Sequence, residues 1–149
     1  MQEISASEKD AFFEEVGKGA ATAVWCALAT VKDNEPRVRI VHPTWEGDVL
    51  WVATGPTTPK ALQMQQNPAV DVQWQVAPPN FVHIMTRGRA EVCTDEATKQ
   101  HAWEAIDYDL SAFFPGGPKD PNYVAIKITP TRVELSEMFG STNKRVWRA

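Results

Sequence analysis

PRVRIVHPTWEGDVLWVATGPTTPK, residues 36–60, contains two strand-like runs followed by a turn that opens a helix. From Arg37 to His42, arginines alternate with aliphatic residues, the period-two pattern of a strand with two unlike faces. Val49 to Thr54 forms a second run rich in β-branched and aromatic residues, and Glu46, Gly47 and Asp48 between the runs predict a hairpin-like turn. Beyond Thr54, the residues Gly55, Thr57, Thr58 and Lys60 gather at the start of a helix. Hydroxyls, backbone N–H groups and an ammonium at such a point make a seat for an anion, because the first amides of a helix lack intrahelical partners and carry partial positive charge. The stretch therefore points to a phosphorylated ligand lying against a β-sheet.

The same strand grammar recurs on either side. Ser5 to Gly17 predicts a short amphipathic helix, with Ser5 or Ser7 as cap and Phe12, Phe13 and Val16 at helical spacing. Ala21 to Val31 (ATAVWCALATV) is almost wholly apolar and reads as a buried strand, ended by the turn residues of KDNEP. Thr58 to Gln66 predicts a helix with Thr57 or Thr58 as cap and Pro59 at its first position, stopping before Pro68. Val70 to Val76 and much of Phe81 to Val92 alternate at period two and form a hairpin through Ala77, Pro78, Pro79 and Asn80. Asp95 to Trp103 predicts a third helix, capped at Thr94 or Asp95. Tyr123 to Ile128 and Thr131 to Leu135 read as two last strands split by a turn at Thr129 and Pro130, and the tail after Met138 has the weakest pattern. About seven strands, mostly sequential and without a βαβ rhythm, imply a closed or nearly closed antiparallel barrel with three short helices.

The chain has 149 residues, the length of one domain with a substantial core. Hydrophobic residues at 43% and charged residues at 23% exclude a disordered or fibrous class. A net charge of -4, with the basic residues scattered apart from Lys144, Arg145 and Arg148, argues against a nucleic-acid partner. Cys26 and Cys93 lie far apart in apolar, strand-like contexts without metal-ligand spacing and read as buried reduced thiols. That usage fits a cytoplasmic setting. No run approaches the length of a membrane span and MQEISASEKD lacks the pattern of a signal peptide, so neither membrane insertion nor export is expected.

The order of these motifs, RVRIV strand, hairpin, TGPTTPK turn into helix, NPAV strand, GRAEV strand, helix and PGGPKDPNYVAIKITPTRVEL, resembles the FMN-binding split-barrel family. This is the family of pyridoxamine 5'-phosphate oxidase and of general stress proteins. The resemblance covers roughly Ala20 to Leu135 and implies a single mainly-β domain, an antiparallel Greek-key split barrel with a few short helices. It further implies that the strand Arg37, Val38, Arg39, Ile40 and Val41 lies under the flavin, with an arginine reaching polar cofactor atoms. A cation at the pyrimidine edge would stabilise the charge that accumulates there on reduction. Read without the resemblance, Arg37 and Arg39 are equally the solvated face of an alternating strand.

By the same resemblance Thr54 supplies a hydroxyl to the cofactor, while Thr58 and Lys60 form its phosphate seat. His83 falls where the oxidase has a flavin-contacting glutamine, and imidazole can donate or accept as an amide does. Two positions depart from the oxidase: Pro59 replaces a basic residue beside Lys60, and His42 replaces a lysine that holds the phosphorylated substrate. Both argue against pyridoxamine phosphate as substrate. Trp25, Trp51 and Trp74 are expected in the core, His101 on the surface, and Phe113, Phe114 and PGGP as a cover for the flavin of a neighbouring subunit.

The resemblance implies a homodimer with two flavins at its interface, and an FMN-dependent oxidoreductase passing hydride between flavin N5 and a small-molecule substrate or NAD(P)H. Isoalloxazine chemistry needs little from side chains, which accounts for a sequence without a nucleophile and base pair, paired carboxylates or a metal cluster. The alternatives are a flavin-binding protein without a dedicated substrate, or a relative that binds deazaflavin F420 or haem.

Overall fold

The computed structural model describes every residue except Gln75 and Val76. The chain opens with β1 (Gln2–Glu3) and α1 (Lys9–Thr22), then β2 (Cys26–Lys32), β3 (Glu35–Val41), β4 (Thr44–Glu46) and β5 (Val49–Thr54). After α2 (Pro59–Gln66) come β6 (Ala69–Trp74), β7 (His83–Cys93), α3 (Glu96–Ala105), β8 (Val124–Glu137) and β9 (Thr142–Arg148), with short 3-10 turns at Leu110–Ala112 and Gly117–Lys119. The expected hairpin strand Val70–Val76 begins one residue earlier, and its last two positions lie outside the described residues.

One mixed sheet runs in the order β1-β9-β8-β7-β6-β2-β3, with β5 pairing to β8 and β4 to β5. Among the described residues it does not close, since β3 pairs only with β2 and β4 only with β5, and the sheet is the expected split barrel rather than a sealed one. Among the described residues all pairings are antiparallel except β1 with β9. Side chains alternate as the pleat demands, so Cys26, Leu28 and Thr30 of β2 face the core. They meet Leu50, Val52, Val72, Trp74, Ile84, Ile126, Ile128 and Val133 there, with Phe12, Phe13 and Val16 of α1 covering the end. A second cluster joins Trp51, Cys93, Ala102, Ile106, Leu110 and Tyr123 under α3. The turn between β2 and β3 places Asp33 and Asn34 at φ 51° and 64°, the left-handed pair that a two-residue hairpin requires.

Four expectations are corrected. First, α1 runs on to Thr22 and takes up Ala21 and Thr22, which the apolar run placed in a strand. Glycine allows the close packing of this helix: a Cβ on Gly19 would stand 3.1 Å from Ile84 Cδ1 of β7. Second, the Glu46–Asp48 turn joins β5 to the separate short strand β4, not to the Arg37–Val41 strand.

Third, Thr129 and Pro130 are no turn, because β8 passes straight through them as a single strand. Proline is tolerated where a ladder is irregular, and the register shifts there, between Arg87 and Gly88 of the facing β7. Gly88 makes room, since a Cβ would lie 2.7 Å from the Thr129 carbonyl oxygen. Fourth, the tail after Met138 forms β9, anchored by Trp147 against Phe13, with ring centroids 4.9 Å apart, and by the paired bonds from Arg145 to Glu15 at 2.8 and 2.6 Å. Its side chains find partners far away in sequence, which no local pattern encodes.

Candidate functional site

The end of β5, the start of α2 and the edge strand β3 enclose a cleft of about 380 Å³, lined in part by Ile40, Val41, Val52, Thr54, Gly55 and Lys60. Its far wall comes from a distant segment, Tyr108, Phe113 and Phe114, together with Trp25 and His42. Its lining combines a lysine and hydroxyls with a group of aromatic rings.

Local chemistry builds the lysine- and hydroxyl-bearing part. Thr58 occupies the cap position of α2, but its hydroxyl turns back to donate to the Gly55 carbonyl at 3.0 Å and lies 3.0 Å from Thr54 Oγ1. The first intrahelical bond runs from the Leu62 amide to the Thr58 carbonyl, 3.1 Å. The Lys60 and Ala61 amides thus precede the ladder at the positive end of the helix. Pro59, having no N–H, costs nothing at the first position. Lys60 itself is half-buried, and burial together with the neighbouring Arg39 charge holds its ammonium below the ordinary 10.5.

Arg39 does not line the cleft. Its guanidinium donates to Gln63 Oε1 of α2 at 2.7 Å and to the Leu28 carbonyl of β2 at 3.0 Å, and burial lowers its pKa. Thr30 donates to the same Gln63 oxygen at 2.6 Å. Neither Lys60 nor Arg39 pairs with a carboxylate among the described residues, whose ion pairs all involve other basic groups. Lys60 and Arg39 are thus two neighbouring, partly desolvated cations without a carboxylate partner among the described residues.

Among the aromatic rings His42 stacks on Tyr108, with ring centroids 4.2 Å apart and planes 18° from parallel, and meets the edge of Trp25 at 5.4 Å. His42 Nε2 lies 3.3 Å from Asp107 Oδ1, which also accepts from Thr44 Oγ1 at 2.9 Å. Burial and the Asp107 charge push the Tyr108 phenol up.

Among the sequence-predicted residues, Ile40, Val41, Thr54 and Lys60 line the cleft, and Thr58 bonds to one of its walls. Arg37 turns instead to Glu35 at 3.2 Å. Val38 and Ile40 project from the free edge of the sheet, each 65% exposed. His83 stands elsewhere on the same chain, at the start of β7, with Nδ1 3.5 Å from Gln73 Nε2. Trp51 and Trp74 are core as expected, but Trp25 is 58% exposed and borders the cleft, a correction. Alternation within its own run carried the signal: Cys26, Leu28 and Thr30 take the inner face, which leaves Trp25 on the other. Gln63, Asp107 and Tyr108 had no local signal, since the tertiary fold alone brings them to β3.

The family model described as pyridoxamine 5'-phosphate oxidase matches residues 13–137. General stress protein 26 of Bacillus subtilis is 26% identical over 111 residues, 73% of this chain and 76% of that protein. A Clostridium acetobutylicum protein related to general stress protein 26 superposes with a TM-score of 0.73 at 18% identity, covering 93% of this chain and 95% of the other. An F420 reductase aligns at 26% identity and a TM-score of 0.56, over 73% of this chain and 87% of its own. A FAD-binding protein from Mesorhizobium loti gives 0.61 at 23% identity, over 80% and 88%.

Proposed function

Because the chain belongs to the pyridoxamine 5'-phosphate oxidase family, we propose that it is an FMN-dependent oxidoreductase whose flavin occupies the cleft between β3, β5 and α2. The observation that carries this reading is the uncompensated pair Lys60 and Arg39 beside the hydroxyls of Thr54 and Thr58. A phosphate dianion fits that donor set: Lys60 supplies a point charge, the amides at the start of α2 supply N–H donors, and Arg39 adds to the field from behind. The apolar wall of Ile40, Val41 and Val52 suits a flat ring. Bound FMN supplies the hydride chemistry at N5; the protein's part is to hold the phosphate, flank the ring and limit water.

In this reading the protein works as a homodimer. The exposed apolar side chains of β3, Val38 and Ile40, together with Trp25 and Phe113, supply surface for a second copy, and His83 and Arg37 would meet the flavin of the partner subunit. Small-molecule substrates or NAD(P)H exchange hydride with the ring. The likeness to an F420 reductase supports a second reading in which a deazaflavin fills the same cleft.

The test is a titration of the purified protein with FMN, riboflavin and F420, followed by anaerobic addition of NADH or NADPH to the loaded protein. Tight FMN, weak riboflavin and bleaching of the bound flavin are expected. Riboflavin binding as tightly as FMN would remove the phosphate seat, and preferential F420 binding would transfer the reading to the deazaflavin. A flavin that neither nucleotide bleaches would point to a flavin carrier instead of an oxidoreductase.

A further inference from the structure

Two of the chain's three histidines tie the same two parts of the fold together. His101 of α3 places Nε2 2.7 Å from Glu46 Oε1 of β4, and the same oxygen accepts from Trp51 Nε1 of β5 at 3.1 Å. His42, between β3 and β4, places Nε2 3.3 Å from Asp107 Oδ1, just beyond α3. The two contacts run in opposite directions, one imidazole from each side. Among the described residues no ion pair of a lysine or arginine joins these parts, so every ionic tie between them is an imidazole facing a carboxylate. The ties without an imidazole are Thr44 Oγ1, which donates to Asp107 Oδ1 at 2.9 Å and accepts from the Asp107 amide at 3.2 Å, and the cluster that joins Ile106 and Leu110 to Trp51.

We propose that His42 and His101 form a pH latch on residues 106–114, a segment held more firmly against β4 as pH falls. Tyr108, Phe113 and Phe114 of this segment line the cleft, so the latch stiffens one wall of it whatever ligand the cleft takes. Imidazole is the side chain whose charge changes between about pH 8 and about pH 5. A proton gained there turns each contact into an ion pair, and that attraction exists only while the segment is in place, so the held state gains as pH falls. Glu46 stays charged through this window, because the His101 hydrogen bond above all holds its carboxyl below the ordinary 4.5. Tyr108 stays neutral, its phenol pushed up by burial and the Asp107 charge.

The other charged groups do not reverse the sign. Lys60 of α2 lines the same cleft as His42, and the elements packed on α3 add Lys127 of β8, cross-strand from Trp51, with Lys119 and Asp120 at the nearby 3-10 turn. Asp48, beyond β4, is taken by Lys9 at 2.7 Å. On α3 itself Lys99 donates to the Asp120 carbonyl at 3.2 Å, and Glu104 accepts from Gln100 at 2.8 Å. Among the described residues only Glu46 and Asp107 form ion pairs with the two imidazoles, and at such short range attraction outweighs the more distant cations.

Amide hydrogen exchange of the full chain, read as protection factors at about pH 8 and about pH 5.5, tests the latch. The amides of Ile106, Asp107, Phe113 and Phe114 report on the segment, since they are bonded to the Ala102 carbonyl, to Thr44 Oγ1 and, for the last two, to the Leu110 carbonyl. Their protection should rise about two- to tenfold at the lower pH, the size of one or two partly exposed ion pairs. His42→Gln with His101→Gln should remove the rise, and His83→Gln, at the third histidine, should leave it intact. Glu46→Gln keeps an acceptor for Trp51 and touches no histidine, so it should remove the His101 share alone. A wild-type protein without the rise, a rise that survives the double variant, or one that Glu46→Gln leaves undiminished overturns the proposal.

Discussion

Replacing Lys60 by methionine tests the phosphate seat directly, because the thioether keeps the length of the stem while removing the charge. Lys60 has no carboxylate partner among the described residues and sits beside Arg39, so its charge is a liability in the unliganded protein. Its pKa is depressed in the folded state, so the unfolded chain binds more protons between that depressed value and 10.5. Stability therefore rises with pH across this alkaline window, and the penalty is fully present at neutral pH. Lys60→Met should leave the melting temperature of the free protein unchanged or slightly raised.

Binding of FMN reverses the sign. A charge-assisted hydrogen bond contributes about 1.5–3 kcal/mol, which is roughly ten- to 150-fold in Kd. Riboflavin, identical but for the phosphate, should lose nothing. The assay is quenching of flavin fluorescence for both ligands with both proteins, at fixed ionic strength since the contact is partly screened. Affinity of the wild-type protein for FMN should also fall as pH rises through the depressed Lys60 pKa, below the range in which an exposed lysine loses its proton. Equal loss of FMN and riboflavin affinity, or loss of neither, would refute the reasoning.

Other outcomes follow from the same geometry. Gln63→Leu leaves the Arg39 guanidinium and the buried Thr30 hydroxyl without their shared acceptor, and should cost about 1–3 kcal/mol in urea denaturation. Gly88→Ala presses a Cβ to 2.7 Å from the Thr129 carbonyl oxygen, a clash against backbone that should cost about 1–3 kcal/mol by thermal melting. Trp147→Ala removes the ring that joins β9 to α1, and a loss of about 3–5 kcal/mol is expected; a negligible loss would return the tail to the unstructured state its sequence suggests. Burial pushes the Cys26 thiol up to about 12 and the Cys93 thiol to about 11, so both should resist a disulfide reagent at neutral pH and react only on unfolding.

What local pattern encodes is legible in the sequence. Period-two alternation marked β3, β6 and β7, and β-branched and aromatic residues marked β5; Asp33 and Asn34 marked a tight turn; Thr58, Pro59 and the stop before Pro68 marked α2. The grouping of hydroxyls and a lysine at one part of the cleft was legible for the same reason, since Thr54 to Lys60 lie on one continuous strand, turn and helix whose short-range geometry brings them together. The aromatic group was not. Tyr108 and Asp107 reach His42 only because the segment after α3 folds back over the edge of the sheet, and Trp25 looked like core until the pleat placed its neighbours Cys26 and Leu28 inside.

Long-range pairing decided the remainder. Pro130 reads as a chain breaker, yet β8 continues through it because the facing β7 shifts register at a glycine that admits the proline's backbone. The tail has no strong periodicity of its own and becomes β9 by pairing with β8 and packing on α1. Arg39 shows the division most clearly: its place on β3 was fixed by alternation, but its direction, away from the cleft and toward Gln63, was set by an acceptor 24 positions along the chain. The sequence by itself determined β3, β5, β6 and β7, the tight turn and the hydroxyl- and lysine-bearing loop into α2, because these depend on neighbours within a few residues. The tertiary structure alone decided which charges go unpaired and which rings face the cleft, because burial and partners are properties of the packed chain.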